Sequence, residues 1–160
     1  MADSYEEVRN LAAEVALIEE MKDVREVGEQ NRGPEIDKYK ARAHSPKSKN
    51  HEWCGFFVYY CLSEAANRIG ICLPFIPEKL WSGYKLTKWA QANPYSIVRE
   101  RPAYPGDIYV MNNGHIGIVV AEGHGDILDT VDGNQSQKGK GRSLKKRTRN
   151  IADMRVLIRI

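Results

Sequence analysis

Among the side chains able to attack a carbonyl carbon, Cys54 has the most telling position. It stands where an apolar stripe at helical spacing begins, which places its thiol in or just after the first turn of a helix. A free cysteine is only a few per cent thiolate at neutral pH and needs activation. A helix N-terminus supplies ~0.3–1 kcal/mol, less than one pKa unit. That is too little, so an imidazolium close in space is required. Of the four histidines, His44 and His51 border a polar loop and His124 falls in a turn. His115 differs: it lies between Gly114 and Gly117 at the mouth of an apolar strand, where an imidazole can face a cleft. Together the two would perform acyl transfer, with the ring taking the thiol proton and sulfur attacking an amide. Each also has a plainer reading. Cys54 continues the stripe of Phe57, Cys61 and Ala65 and suits a buried core thiol, and His115 suits a strand end bonded to backbone.

A third group must orient the ring. If residues 115–121 pair antiparallel with 127–132 through a tight turn at 123–126, paired residue numbers sum to about 249. His115 then faces Asn134, and Gly117 faces Asp132. Either polar side chain could accept from the imidazole, as the third member of a triad does. Asn134 is the favoured orienter, with Asp132 assisting; a slip of one residue would turn both away.

The elements that must position these groups follow from the same pattern. Ser4 to Glu7 has the form of a capping box, and Val8, Leu11, Ala12, Val15 and Ile18 continue a helix to about residue 27, before Gly28. Residues 29–33 read as a loop, and Pro34 opens a short helix to about residue 43. Residues 44–50 are polar loop. The clearest helix carries Phe57, Val58, Cys61, Leu62, Ala65 and Ile69, with Asn50 as N-cap and Gly70 as stop. A short helix over 79–92 crosses a proline-punctuated stretch. Strands are expected at 107–111, 115–121, 127–132 and 154–160. Helices first and strands later predict an α+β fold with an antiparallel sheet.

The chain of 160 residues fits one domain, here divided into a helix over 1–27 and a core over 28–160. Its 42% hydrophobic and 28% charged residues are ordinary for a globular protein, and a net charge of +3 selects no partner. Cys54 and Cys61, seven apart on one helix, lie about 10 Å apart, too far for a disulfide; with Cys72 they are expected as free thiols. His51 and Cys54 are the only close pair of metal ligands, and two ligands make no zinc site. No metal or cofactor is expected. The basic run over 138–149 reads first as a solvated loop, second as an attraction for an anionic envelope, and only third as a nucleic-acid contact, since it lacks interleaved aromatics. The first ten residues show no basic region followed by an apolar one, and no apolar run could span a bilayer. Synthesis in the cytoplasm without a signal peptide is expected.

Five stretches in order carry a resemblance. They are Glu29-Gln30-Asn31-Arg32-Gly33-Pro34 with Tyr39, Glu52-Trp53-Cys54-Gly55-Phe56-Phe57-Val58, Pro105-Gly106-Asp107-Ile108, Gly114-His115-Ile116-Gly117-Ile118-Val119, and Asp132-Gly133-Asn134. Together they resemble a CHAP domain (cysteine, histidine-dependent amidohydrolase/peptidase) of the papain-like superfamily, close to the NlpC/P60 hydrolases. The resemblance implies N-terminal helices, then a central helix with Cys54 as nucleophile at its start, packed on an antiparallel sheet. It implies His115 as base, Asn134 or Asp132 as orienter, and Trp53, Asn31 and Gly114 as substrate contacts. The implied substrate is an amide bond of peptidoglycan, in the stem peptide or between sugar and peptide. A chain of this kind would be exported or released to the cell wall as an interbacterial toxin with a cognate immunity protein, or as a phage-type lysin. The alternatives are a non-catalytic wall-binding module and a cysteine peptidase acting on a protein. Gly55 departs from the family's usual Ala or Ser. The acidic calcium loop of some phage members is missing, since residues 44–50 contain no acid.

Overall fold

Burial on nearly every side explains the longest apolar helix. In α3 (Cys54–Ile69), Phe56, Phe57, Val58, Cys61, Leu62, Ala65 and Ala66 are all buried, because helices cover one flank and a sheet the other. Gly70 ends it in the left-handed conformation (φ 84°), its N–H bonding Ala66 O at 2.8 Å. The computed structural model describes residues 4–45, 52–136 and 141–160. The expected N-cap Asn50, His51 and most of the loop over 44–50 lie outside the described residues. The cap observed is Trp53, with no side-chain hydrogen bond.

Helix α1 (Ser4–Glu20) packs Val8, Ala12, Val15 and Ala16 into the same core as α3, as does α2 (Pro34–Arg42), which starts on its proline. The structure corrects the extent of α1. The helix stops at Glu20 rather than near residue 27, because Asp23 turns left-handed (φ 54°) and the next residues run beside the sheet. Glu26 N–H bonds Arg142 O at 3.0 Å, and Leu144 N–H bonds Val24 O at 3.0 Å. The segment over 4–27 therefore shares one core and one sheet edge with the rest.

The fold is α+β, with a five-stranded antiparallel sheet in the order β4-β3-β2-β1-β5. Its strands are β1 (Ile108–Met111), β2 (Ile116–Val119), β3 (Ile127–Ser136), β4 (Arg142–Asn150) and β5 (Met154–Ile158). In β2–β3, Ile118 faces Val131 and Val119 faces Thr130, the register expected from the hairpin. The basic run is not a solvated loop over its described part. Residues 142–150 form β4, paired along β3. Leu144 is its only apolar side chain, so no alternation announces it; charged side chains suit its place on the sheet's outer side. Lys138 and Lys140 lie outside the described residues. Beyond β5, Ile97 bridges Ile158 and Val98 N–H bonds Leu157 O at 2.9 Å. Among the described residues, no helix is long and apolar enough to cross a membrane.

Helix α4 (Gly83–Ala92) follows a 3-10 turn at Pro77–Lys79 and begins later than expected, with Ser82 as its cap. That turn decides the residue after Cys54. A Cβ on Gly55 would lie 1.7 Å from the Leu80 carbonyl oxygen, so only glycine lets this backbone close over the start of α3. Gly55→Ala is expected to cost about 3 kcal/mol, the upper part of the overpacking range, because backbone rather than a flexible side chain must yield. Equilibrium denaturation checks it, and a change below about 0.5 kcal/mol would contradict it.

Candidate active site

Cys54 opens α3 and is almost wholly buried, its backbone held against β3. The contact depends on Gly133: a Cβ there would lie 2.9 Å from the Trp53 ring and 3.4 Å from Cys54 Cα. Trp53 itself is fully buried, stacked on Tyr39 at 6.3 Å, and its indole N–H bonds Glu26 Oε1 at 3.3 Å. It is a wall of the core, and the expectation that it touches substrate is corrected on that ground. Asn31 is corrected likewise. It is buried and left-handed (φ 59°), its N–H bonds Glu26 Oε1 at 3.0 Å, and its carbonyl accepts Lys40 Nζ at 2.6 Å. Through Glu26 it supports Trp53 from behind.

His115 is delivered by the turn between β1 and β2. Gly114 takes φ 91°, its N–H bonds Met111 O at 2.9 Å, and Asn113 Oδ1 accepts the His115 N–H at 3.1 Å. The ring is mostly buried against Asp132, and Cys54 and Asp132 both favour its charged form. Its Nε2 lies 3.4 Å from Asp132 Oδ2.

Of the two expected orienters, Asp132 is the one that lies against the ring. The reason is a bulge in β3: Asp132 pairs with Lys145, yet Gln135 pairs with Ser143, so one extra residue sits between them. Asn134 absorbs it with φ 56°, and its buried Oδ1 has no hydrogen-bond partner. The bulge brings Gln135 to His115 instead, with Gln135 Nε2 3.3 Å from His115 Nε2. Gln135 donates to a neutral ring there and only abuts a charged one.

The carboxylate of Asp132 is fully buried and shared. Tyr109 Oη donates to Oδ1, and Arg149 donates to Oδ2 through Nε at 2.9 Å and through Nη2. Gly117 makes room for this, since a Cβ would lie 2.2 Å from Tyr109 Oη and 2.5 Å from Asp132 Oδ1. Burial works to raise the Asp132 pKa, but His115, Tyr109 and Arg149 outweigh it and hold it below the ordinary value. For His115, burial favours the neutral ring. Hydrogen bonds and charge from Asp132 and Cys54 overcome it and lift the pKa to about 9. Tyr109 and Gln135 carry no signal in the sequence, and Arg149 stands out there only as a member of the basic run over 138–149. Only the Gly133-Asn134 pair, a type of dipeptide suited to bulges and turns, signals the distortion that recruits Gln135.

The raised pKa has a consequence for stability. The charged ring's contribution is complete below its ordinary 6.5 and is lost as pH rises through about 9. Unfolding free energy is therefore expected to fall across that window by up to about 3 kcal/mol, and His115→Gln should flatten the slope. Denaturant titrations at pH 6.5 and 9.5 measure both.

Two grooves meet beside the pair, sharing Glu52 and Asn113. One, of about 630 Å³, is lined by Cys54, Gly114, Trp81 and Tyr84; the other, of about 360 Å³, by His115, Asn134 and three arginines of β4. Gly114 thus lines the same groove as Cys54. Cys61 is buried in the core, where desolvation pushes its thiol pKa well up, and Cys72 is exposed; all three cysteines are free. Among the described residues, no three His, Cys, Asp or Glu side chains group as a metal site. Compared with protein-family models, curated proteins and solved structures, the chain has no significant match in any of the three.

Proposed function

We propose that this chain is a cysteine amidohydrolase of the CHAP type, with a papain-like arrangement, acting on an amide bond of peptidoglycan. One observation carries the chemistry: a largely buried imidazole lies against a buried carboxylate, and a cysteine at a helix start joins that carboxylate in favouring its charged form. The order of elements supports the family reading, since the helix bearing Cys54 precedes the antiparallel strands that hold His115 and Asp132. The substrate comes from the resemblance of the motifs alone.

In this reading the thiol proton passes to His115 and sulfur attacks the amide carbon, forming a C–S bond and an oxyanion. Backbone N–H groups in the uncapped first turn of α3 are the candidates to receive that charge. His115 gives its proton to the leaving nitrogen as the C–N bond breaks. Water then loses a proton to His115 and adds to the thioester, and the C–S bond breaks to release a carboxylate. Asp132 fixes the ring and stabilises its charged form. As an interbacterial toxin, the chain would be matched by an immunity protein that fills these grooves; as a phage-type lysin, it would need none.

Digestion of purified sacculi, with product masses read by mass spectrometry, tests the proposal. Soluble fragments with one new amine and one new carboxyl per cut are expected. Intact sacculi in the presence of folded protein would overturn it.

A further inference from the structure

If His115 gives the proton to the leaving nitrogen, a substrate divides into an acyl half held by sulfur and an amine half that departs past the ring. The groove on the His115 side is polar apart from Met111, and β4 lines it with Arg142, Arg147 and Arg149. Their charges are not equally engaged. Arg149 is committed to the buried Asp132. Arg142 lies 3.5 Å from Glu52, both well exposed, and such a pair is weak and opens readily. Arg147 has no carboxylate partner among the described residues. Its Nε donates to Gln135 Oε1 at 3.3 Å, which leaves both terminal nitrogens for a ligand. Gln135 also accepts Arg149 Nη2 at 3.0 Å and lies against His115 Nε2. One side chain therefore ties the uncompensated cation to the ring that handles the proton.

We propose that this groove is a carboxylate subsite, in which Arg147, assisted by Arg142, reads an acidic group on the amine half of the substrate. The inference rests on the amidohydrolase reading for the direction in which that half departs. A guanidinium with two free nitrogens matches a carboxylate by paired, charge-assisted hydrogen bonds. A carboxamide in the same place brings no charge and sets its own N–H groups against the arginine. The substrate class is thus a peptide with a free carboxylate, and amidation of that group is the modification that would defeat binding.

The test uses the Cys54→Ala chain, which binds without turnover, and two synthetic stem tetrapeptides. One has its glutamyl and diamino-acid carboxyls free; the other carries both as carboxamides. By calorimetry at low ionic strength, the free acid is expected to bind ~10–100-fold more tightly. Adding Arg147→Gln should remove about tenfold of that preference, by weakening binding of the free acid and not of the carboxamide. Arg147→Lys should restore only part, and Lys146→Gln, on the same strand, should change nothing. Equal binding of the two peptides, or binding of neither, overturns the subsite even if the unmodified chain digests sacculi. An acid preference lost with Arg147, in a chain that does not digest sacculi, upholds the subsite and removes the enzymatic reading instead.

Discussion

Cys54→Ala protein is expected to leave sacculi undigested, with turnover lower by at least about 10⁴-fold, because removal of a nucleophile from a triad leaves only what binding and oxyanion contacts supply. The fold should survive. The change removes one sulfur at a helix start, and the apolar residues beneath it keep their packing. A melting temperature within a few degrees of the unmodified chain is the control. The same variant carries a second readout. Burial favours the neutral His115 ring, while Asp132 and Cys54 together raise its pKa to about 9. Loss of the thiol should therefore lower the pKa, which imidazole NMR titration reports directly. Unchanged digestion would end the proposed mechanism, and an unmoved His115 titration would show that ring and sulfur do not interact.

The second large effect falls on Asp132. Asp132→Ala is expected to cost 3–5 kcal/mol, a figure typical of breaking a buried ion pair, because Arg149 and the buried Tyr109 hydroxyl both lose their acceptor. Activity cannot be judged cleanly in a chain so weakened. Asp132→Asn separates the two consequences. It keeps the volume and one acceptor oxygen, so the stability loss should be smaller, yet it removes the charge that holds the ring protonated. Turnover should fall by about 10³–10⁴-fold, as it does when a triad aspartate becomes an amide. The His115 pKa should drop, and the decline in stability from pH 6.5 towards 9 should shrink with it. Near-normal activity in Asp132→Asn would leave the buried carboxylate a purely structural role.

Much of this arrangement was legible in residue order, and the exceptions have physical causes. The apolar stripe of α3 and its glycine stop fix where Cys54 lies, since a helix of that burial has one place to begin. The hairpin register followed from a short turn between two β-rich runs, and Ile118 facing Val131 agrees with it. What alternation cannot encode is a change of parity within a strand. Counting by two puts residues 132 and 134 on one face, but the bulge between Asp132 and Gln135 breaks the count and leaves Asn134 without a hydrogen bond from its Oδ1. Strand β4 was hidden for another reason. Its stabilisation comes from backbone pairing with β3 and from Arg149 on Asp132, seventeen residues away in the chain, and neither appears as an apolar pattern. The glycines needed contacts to explain them as well. Gly55 and Gly117 are required by the Leu80 carbonyl and the Tyr109 hydroxyl, which only the fold brings near.

The segment after α1 has a bearing on how any ligand must be recognised. Where β4 begins, the outward-facing backbone groups of Arg142 and Leu144 are already taken by residues 24–26, and on the far side residues 97–98 pair with the end of β5. An incoming extended chain therefore cannot dock as an additional strand beside residues 142–144. Its main-chain amides gain little there, so selectivity must come from its side groups and stereochemistry. Such a molecule is suited to a substrate whose backbone is irregular, with branched or inverted residues that could not lie flat in a sheet.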